Sequence, residues 1–402
     1  MKFFSGKIMV GFTLGLLALG ISSFMWFTAH NSHSGKPTPS VTPSSIPPDL
    51  LTEHNSKLAS EPGNELKVEP PAQIPTVAYE GQIEHIFFHP LIAYPELAFD
   101  GDSLSKGYDD WFVTVKEFKK ILDSLYAKQY VLIDIRSLYE EKQNAGKTEI
   151  KSKSLKLPPG KKPLVLSIDD LNYYTYMREN GNVFRLVLDK QGEIAAYSVT
   201  PQGEESVSRD NEIIPILDDF VKLHPDFSVD GAKGTIALTG YEGILGYRTD
   251  QLNSPDFEKN KAAVLPVIQQ LKDTGWTFAS HGYGHLDAAK VTFDRFSKDT
   301  SRWIKEVEPL IGPTNIYIFP FGSKVLPGDP KYTFLLDSGF RMFCSVGPAP
   351  YLMVSTDSVR MDRRHIDGIA FHDQKKRLLP LFDVNEVIDE RRPSYEKPSV
   401  NK

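Results

Sequence analysis

From about Ala78 onward, short apolar segments alternate with segments whose apolar residues recur at helical spacing. Val131–Ile135 and Leu164–Ile168 have the length and composition of buried strands, whereas residues 118–125 repeat apolar side chains at the period of a helix. Strands that alternate with helices form mainly parallel sheets or barrels. About seven such units predict an α/β fold that closes into a barrel.

The other predicted elements continue this order. We predict strands at Ile83–Phe88, Gly234–Leu238, Trp276–Ala279, Ile316–Phe319 and Gly339–Val346, and helices at Ile213–Lys222, Ala262–Thr274, Thr300–Glu308 and Lys331–Ser338. Thr114 and Glu117 have the spacing of a capping box, which predicts a helix start. Residues 173–209 interrupt the alternation and predict an inserted hairpin.

The amino-terminal segment predicts a membrane helix over residues 1–30. Ile8–Ala29 is free of charged side chains and is long enough to span a bilayer core of about 30 Å. Lys2 and Lys7 precede it, which places the rest of the chain outside the cytoplasm. A cleaved signal peptide is the alternative. Residues 31–77, rich in Pro, Ser and Thr, predict a disordered linker, residues 78–392 a catalytic domain, and residues 393–402 a tail.

Charge and cysteine content exclude two classes of protein, namely those that attract nucleic acid through their net charge and those stabilised by internal disulfides. Lys and Arg total 46 against 52 Asp and Glu, so the net charge of −6 gives no field that would attract nucleic acid. Cys344 is the single cysteine, so no disulfide can form within the chain. Cys344 lies in an apolar segment, and we predict that it packs in the core.

Polar residues follow three of the predicted strands. Asp169 and Asp170 follow one strand, His281 and His285 another, and residues 320–322 a third. Side chains at the carboxyl ends of parallel barrel strands converge on one site. Two imidazoles and one carboxylate suit an open hydrolytic zinc site, and the second carboxylate could accept a proton from water.

Other interpretations of the histidines stay open. His281 and His285 could instead be structural side chains with satisfied hydrogen bonds. His85 and His89 have the same four-residue spacing, but there we favour a strand with polar ends. His89 could nevertheless line the same barrel mouth.

Three motifs resemble those of the polysaccharide deacetylases, also called carbohydrate esterase family four. They are Ser-Ile-Asp-Asp at 167–170, Ser-His-Gly-Tyr-Gly-His at 280–285 and Phe-Pro-Phe-Gly at 319–322. The resemblance covers roughly residues 84–383 and implies a distorted (β/α)7 barrel that hydrolyses N-acetyl groups on sugars. It also implies that Asp170, His281 and His285 hold a divalent metal ion, with zinc the expected metal. Asp169 would be the general base, and the backbone N–H of Phe321 would stabilise the oxyanion.

Two positions depart from the family pattern. Ile318 stands where the third motif often has an arginine that tunes the base, and Arg363 or Arg364 could substitute for it. The late histidine that acts as general acid has no clear match. His365 and His372 are the candidates, although each could equally be a non-catalytic surface histidine.

The resulting hypothesis is a single-pass membrane protein with an extracytoplasmic domain that deacetylates a cell-envelope polysaccharide. Peptidoglycan and an N-acetylglucosamine-containing exopolysaccharide are the expected substrates. The alternatives are an inactive glycan-binding protein on the same fold, and a metal-dependent amidase acting on peptide stems. Five aromatic residues could stack on sugars or pack within the protein: Trp111, Phe112, Tyr173, Tyr174 and Tyr176. The sequence leaves the oligomeric state open.

Overall fold

Seven parallel strands form a closed ring in the computed structural model, which describes residues 75–144 and 146–393. In chain order they are β1 (Glu84–Phe88), β2 (Lys162–Asp169), β3 (Thr235–Leu238), β4 (Thr277–Ser280), β5 (Ile316–Ile318), β6 (Met342–Val346) and β7 (Val359–His365). Each strand pairs with the next, and β7 pairs with β1 to close the barrel. The predicted barrel of parallel strands is therefore confirmed.

Helices cover the outside of the ring. Six of them are labelled α1 (Val115–Ala127), α2 (Ile213–Leu223), α3 (Phe257–Asp273), α4 (Phe293–Glu306), α5 (Pro330–Asp337) and α6 (Gly368–Asp373). Other helices span Pro95–Ala98, Ser105–Trp111, Thr175–Glu179, Glu308–Ile311, Lys375–Leu378 and Val384–Val387, and 3-10 turns span Ile135–Leu138, Pro225–Phe227 and Pro320–Gly322.

The core has two layers because successive side chains on a strand point to opposite faces. On β2, Leu164 and Leu166 face the helices, whereas Val165 packs inside the barrel with Ala237, Cys344 and Met361. Ser167 and Asp169 lie on the same face of β2 as Val165 and continue the inner row toward the carboxyl end. Cys344 is fully buried in this interior, which confirms its prediction as a core residue.

Two helices begin at caps that set their length. The predicted capping box is present, since the Thr114 side chain accepts from Glu117 N–H while the Glu117 side chain accepts from Thr114 N–H. Helix α4 begins at Phe293 rather than at Thr300, which is about two turns earlier than predicted. The Thr292 side chain accepts from Arg295 N–H and caps the helix there.

The segment predicted as a strand at Val131–Ile135 forms a shorter strand that is not part of the seven-stranded ring. Its strand, Tyr130–Leu132, pairs only with the first half of β2, whose second half pairs with β3. Ile135 already belongs to a 3-10 turn, because the Asp134 carboxylate accepts from Arg136 N–H at 2.8 Å.

Antiparallel strand pairs occur outside the parallel ring. The predicted insertion contains a third strand beside the expected two, in the order Arg185–Leu188, Ile194–Val199 and Glu205–Ser208. Strands Tyr139–Asn144 and Lys147–Ser152 form an unpredicted hairpin, and Tyr351–Val354 pairs with β7. Val77 and Ala78 pair with Leu157 and Lys156.

The predicted amino-terminal membrane helix and most of the linker and tail lie outside the described residues. Within residues 75–144 and 146–393, no helix combines the length and apolar character needed to cross a bilayer.

Candidate metal and catalytic site

Two strand ends deliver the acidic pair and the histidine pair to the same end of the barrel. Asp169 is the last residue of β2, and Asp170 follows with a φ of 58°. His281 comes directly after β4, and its N–H donates to the Leu238 carbonyl at 3.0 Å, a typical length for a backbone hydrogen bond. His285 also adopts a positive φ, of 51°. These turns direct both pairs into the mouth of the barrel.

Helix α4 fixes the loop between the two histidines. The Asp299 carboxylate accepts from Tyr283 N–H and from Gly284 N–H, both at 2.8 Å. Gly282 has a φ of 66°, and a Cβ there would lie 3.0 Å from Asp299 Oδ2. A side chain at this position would therefore strain the backbone and crowd the carboxylate that holds the loop.

Asp170, His281 and His285 form a cluster that suits a divalent cation. One ligand atom from each lies within 4.8 Å of the others. The Nδ1–H of His281 donates to the Ile318 carbonyl at 2.8 Å, which leaves Nε2 free to bind a metal ion. Two imidazoles and a carboxylate are the donor set of open hydrolytic metal sites.

Electrostatics keep these donors in their metal-binding forms. Burial, reinforced by the neighbouring imidazoles and opposed by Asp170, lowers the pKa of His285 to about 4. Burial of Asp170 opposes ionisation, but His285, His281 and His89 outweigh it and lower its pKa. At neutral pH the cluster thus offers a neutral imidazole at His285 and an anionic carboxylate at Asp170. The residues present fit a divalent metal ion.

A tyrosine supports the carboxylate of the cluster. Tyr174 O–H donates to Asp170 Oδ1 at 2.7 Å, and its oxygen lies 2.6 Å from Thr239 Oγ1. Tyr174 is buried and stacks on Tyr241, so its hydroxyl is held in place by packing. It fixes the orientation of Asp170 from outside the donor set.

Asp169 is paired with Arg363 inside the barrel. The Arg363 guanidinium donates to Oδ1 at 2.7 Å and to Oδ2 at 2.9 Å, and it lies over the Phe87 ring. Burial alone would raise the pKa of Asp169, but Arg363 and then His281 outweigh it and hold the pKa at about 2. Asp169 is therefore ionised at neutral pH and lies 3.8 Å from His281 Nε2.

Of the two candidate arginines, Arg363 is the one that contacts Asp169. Arg364 points to the other face of β7, where it donates to Glu84. Ile318 contributes through its carbonyl, which accepts from His281.

His89 joins this group from the loop after β1. Its Nδ1–H donates to the Trp111 carbonyl at 3.2 Å, which leaves Nε2 unprotonated in the neutral ring. His89 is near enough to Asp169, Asp170 and His285 to contribute to the pKa shift of each. From the sequence we favoured a strand with polar ends for His85 and His89. The four-residue spacing of these histidines, which is the same as that of His281 and His285, was the signal that His89 could line the barrel mouth. His85 does lie within β1, where it is buried and contacts Ser167 at 3.0 Å.

His365, one of the two predicted candidates for the general acid, has partners at both ring nitrogens. It ends β7, where Nδ1 contacts Asp367 Oδ2 at 2.7 Å and Nε2 contacts the Gln374 amide nitrogen at 2.8 Å. His372 lies on α6 and is exposed. Proton transfer from His365 would require it to exchange one of these partners.

Phe321 follows β5 and lies beside His285. It has a φ of 59°, its ring centroid is 4.5 Å from that of His285, and 64% of its surface is exposed. Among the five predicted sugar-contacting aromatics, Phe112, Tyr173 and Tyr174 are buried, whereas Trp111 and Tyr176 are exposed.

Comparison with known proteins gives matches only among solved structures. No family model matches the chain, and no curated protein matches it. A Bacillus anthracis protein assigned as a polysaccharide deacetylase is 14% identical, with a TM-score of 0.40, over 71% of this chain and 65% of its own. The chain therefore spans less than two thirds of that protein.

Two further structures are matched over most of their length. Streptococcus pyogenes deacetylase PplD, solved in complex with acetate, is 13% identical with a TM-score of 0.39, over 72% of this chain and 93% of that one. A de-N-acetylase from Aggregatibacter actinomycetemcomitans is 13% identical with a TM-score of 0.40, over 72% of this chain and 96% of that one. The chain is similar to these solved deacetylases at low identity. Its three motifs resemble those of the polysaccharide deacetylases.

Proposed function

We propose that this protein is a metal-dependent hydrolase that removes N-acetyl groups from a polysaccharide of the cell envelope. The observation that carries the proposal is the convergence of Asp170, His281 and His285 beside the ionised carboxylate of Asp169. A carboxylate next to a hydrolytic metal site is the arrangement needed to deprotonate an attacking water.

Asp170, His281 and His285 would hold the ion, for which zinc is the proposed metal. When bound, a divalent cation polarises an acyl oxygen and lowers the pKa of coordinated water. Asp169 would accept the proton from the attacking water, and Arg363 keeps both carboxylate oxygens oriented for this task. The backbone N–H of Phe321 would donate to the oxyanion that develops on the acetamide.

The amine that leaves must receive a proton, and we assign His89 to this step ahead of His365. The Nδ1–H of His89 is held by the Trp111 carbonyl, so the imidazolium form would give the proton from Nε2 to the amine and would be left as the neutral ring with its proton on Nδ1. Both nitrogens of His365 already have partners. A histidine is suited to this role because its pKa lies near neutral pH.

The proposed location follows from the amino-terminal sequence. A single membrane helix within residues 1–30 and a linker over residues 31–77 would hold the domain outside the cytoplasm. Peptidoglycan or an N-acetylglucosamine-containing exopolysaccharide would then be within reach as substrate.

Acetate release from N-acetylglucosamine oligomers tests the proposal. We expect the full-length protein, purified in detergent and loaded with Zn²⁺, to release acetate. Chelation or His281→Ala should lower the rate by about a hundredfold or more, because the ion loses a ligand or is absent. His89→Gln should lower kcat by about 10² to 10⁴, whereas the matched variant His365→Gln should retain most of it.

Three results would contradict the proposal. Glycan binding by the metal-loaded protein without acetate release would indicate a binding protein. A product mass that shows cleavage of a peptide stem would indicate an amidase. Full activity after complete removal of the metal would exclude the assigned site.

A further inference from the structure

One wall of the site is built from two segments that follow β1 and β2. Residues 90–112 and 173–182, here called the aromatic wall, are joined by hydrogen bonds from Ala93 N–H to Gly181 O and from Asn182 Nδ2 to Leu91 O, both at 2.8 Å. Their contact is sealed by a buried apolar cluster comprising Ile92, Ala98, Tyr108, Phe112, Tyr174 and Met177. The wall is therefore a packed element.

Two large aromatic side chains on this wall remain at the surface. Trp111 is 43% exposed and Tyr176 is 39% exposed, although each is adjacent to a buried aromatic residue. Tyr108 stacks on Phe112, and its O–H donates to Asn182 Oδ1 at 2.8 Å. The Tyr108 hydroxyl also lies 3.5 Å from the Tyr176 carbonyl, so one buried ring contacts both positions. Exposed aromatic surface on a rigid support is typical of a binding surface.

Both residues border the catalytic groups. The Trp111 carbonyl accepts from His89. The Tyr176 ring stacks beside Tyr174, whose hydroxyl contacts Asp170, with ring centroids 6.0 Å apart. Sugars next to an acetamide group bound at Asp170 would therefore be within reach of this wall.

The charges near the wall disfavour an anionic ligand. Asp100 and Asp102 are exposed on it, and Lys106 is paired with Asp110. An anionic ligand would be repelled by these carboxylates. A sugar ring is uncharged and can place its C–H face on an aromatic ring while its hydroxyls remain in water.

We infer that Trp111 and Tyr176 stack on sugar rings of the same glycan strand, next to the residue that is deacetylated. This inference rests on the proposed function and deepens it, because it makes the substrate an oligomer or polymer. The rings are held in place before binding, so little conformational entropy is lost when a sugar stacks on them.

The test compares short and long glycans. Acetate release and binding are measured for the full-length, Zn²⁺-loaded protein with the dimer and the pentamer of N-acetylglucosamine. We expect Trp111→Ala and Tyr176→Ala each to raise KM and Kd for the pentamer by about three- to tenfold, with little change in kcat. At most one of the two variants should raise the dimer values, because a dimer has a single neighbouring ring. Phe293→Ala is the matched control, because Phe293 is 46% exposed but packs against Phe334 on the outside of the barrel.

The outcomes separate this inference from the proposed function. If the wild-type protein deacetylates glycans and both variants keep the wild-type ratio of pentamer to dimer KM, the inference is overturned while the proposed function stands. If the wild-type protein releases no acetate from either glycan, the proposed function fails. Loss of the pentamer preference in the variants, but not in Phe293→Ala, supports the stacking surface.

Discussion

Arg363 and Arg364 are adjacent on β7, yet their guanidinium groups lie on opposite faces of the barrel wall. Arg363 reaches Asp169 inside, and Arg364 reaches Glu84. The sequence placed both in the last strand region but could not choose, because alternation defines two faces without saying which one is the interior. The metal cluster was easier to predict, since its three residues belong to short motifs with fixed spacing. His89 was harder, because its role depends on the approach of the loop after β1.

Tyr174→Phe tests whether the hydroxyl on Asp170 contributes to the proposed metal site. The variant keeps the buried ring but removes the donor to Oδ1, so Asp170 should be less well oriented. We expect the Kd for Zn²⁺ to rise about tenfold or more, measured by competition with a chelator. Tyr126→Phe, which removes a hydrogen bond to Asp226 at 3.0 Å on a different helix, should leave this Kd unchanged. An unchanged Kd in Tyr174→Phe would contradict the assigned role.

Six of the seven barrel strands were predictable because each is a compact apolar run, buried on both faces. Strand β7 was not predicted as a strand, because four of its seven side chains are charged. The hairpin Tyr139–Asn144 and Lys147–Ser152 was missed for the same reason. Most of its side chains are charged or polar, and Tyr139 and Ile150 are its buried members. Its position depends on contacts that sequence patterns do not report, such as Ile150 N–H donating to the Thr356 carbonyl at 2.9 Å.

Helix α2 begins at a buried carboxylate that should make stability depend on pH. Glu212 accepts from Ile213 N–H, Leu91 N–H and Tyr173 O–H. Burial, only partly offset by these hydrogen bonds, raises the pKa of Glu212 to about 7 from an ordinary value of 4.5. The folded state therefore holds this proton more tightly than the unfolded state. The stability that it contributes is complete below about pH 4.5 and is lost as the pH rises through about 7.

Glu212→Gln should remove this contribution to the pH dependence. Relative to wild type, the variant should gain up to about 3 kcal/mol in the free energy of unfolding between pH 4.5 and pH 8. Urea unfolding at a series of pH values measures the difference. The exposed variant Glu204→Gln should follow the wild-type curve. Parallel curves for Glu212→Gln and wild type would show that Glu212 has no such shift.

At the scale of the whole molecule, the segment after the barrel returns to the start of α1. Arg392 is buried and donates to both carboxylate oxygens of Glu117, at 2.6 and 2.8 Å. It also donates to the carbonyls of Asp109 and Phe112, on either side of Trp111. The segment thereby ties the aromatic wall to the helix layer.

Arg392→Met should destabilise the fold strongly, because Glu117 would remain buried without its cation. We expect a loss of about 3–5 kcal/mol in the free energy of unfolding, measured by urea denaturation. Lys298→Met is the control, since Lys298 and its partner Asp294 are both 75% exposed and their pair should contribute about 1 kcal/mol or less. A loss in Arg392→Met no larger than that in Lys298→Met would contradict the role of the buried pair.

The closure of the ring by β7 also determines when the site becomes complete during synthesis. Asp169 and Arg363 are 194 positions apart, so a growing chain exposes the aspartate long before its arginine partner is translated. A polypeptide that terminates before β7 would lack both the last strand of the barrel and the cation that pairs with Asp169. Under the function proposed above, such a product would not deacetylate a glycan, and activity would arise only once β7 has been translated.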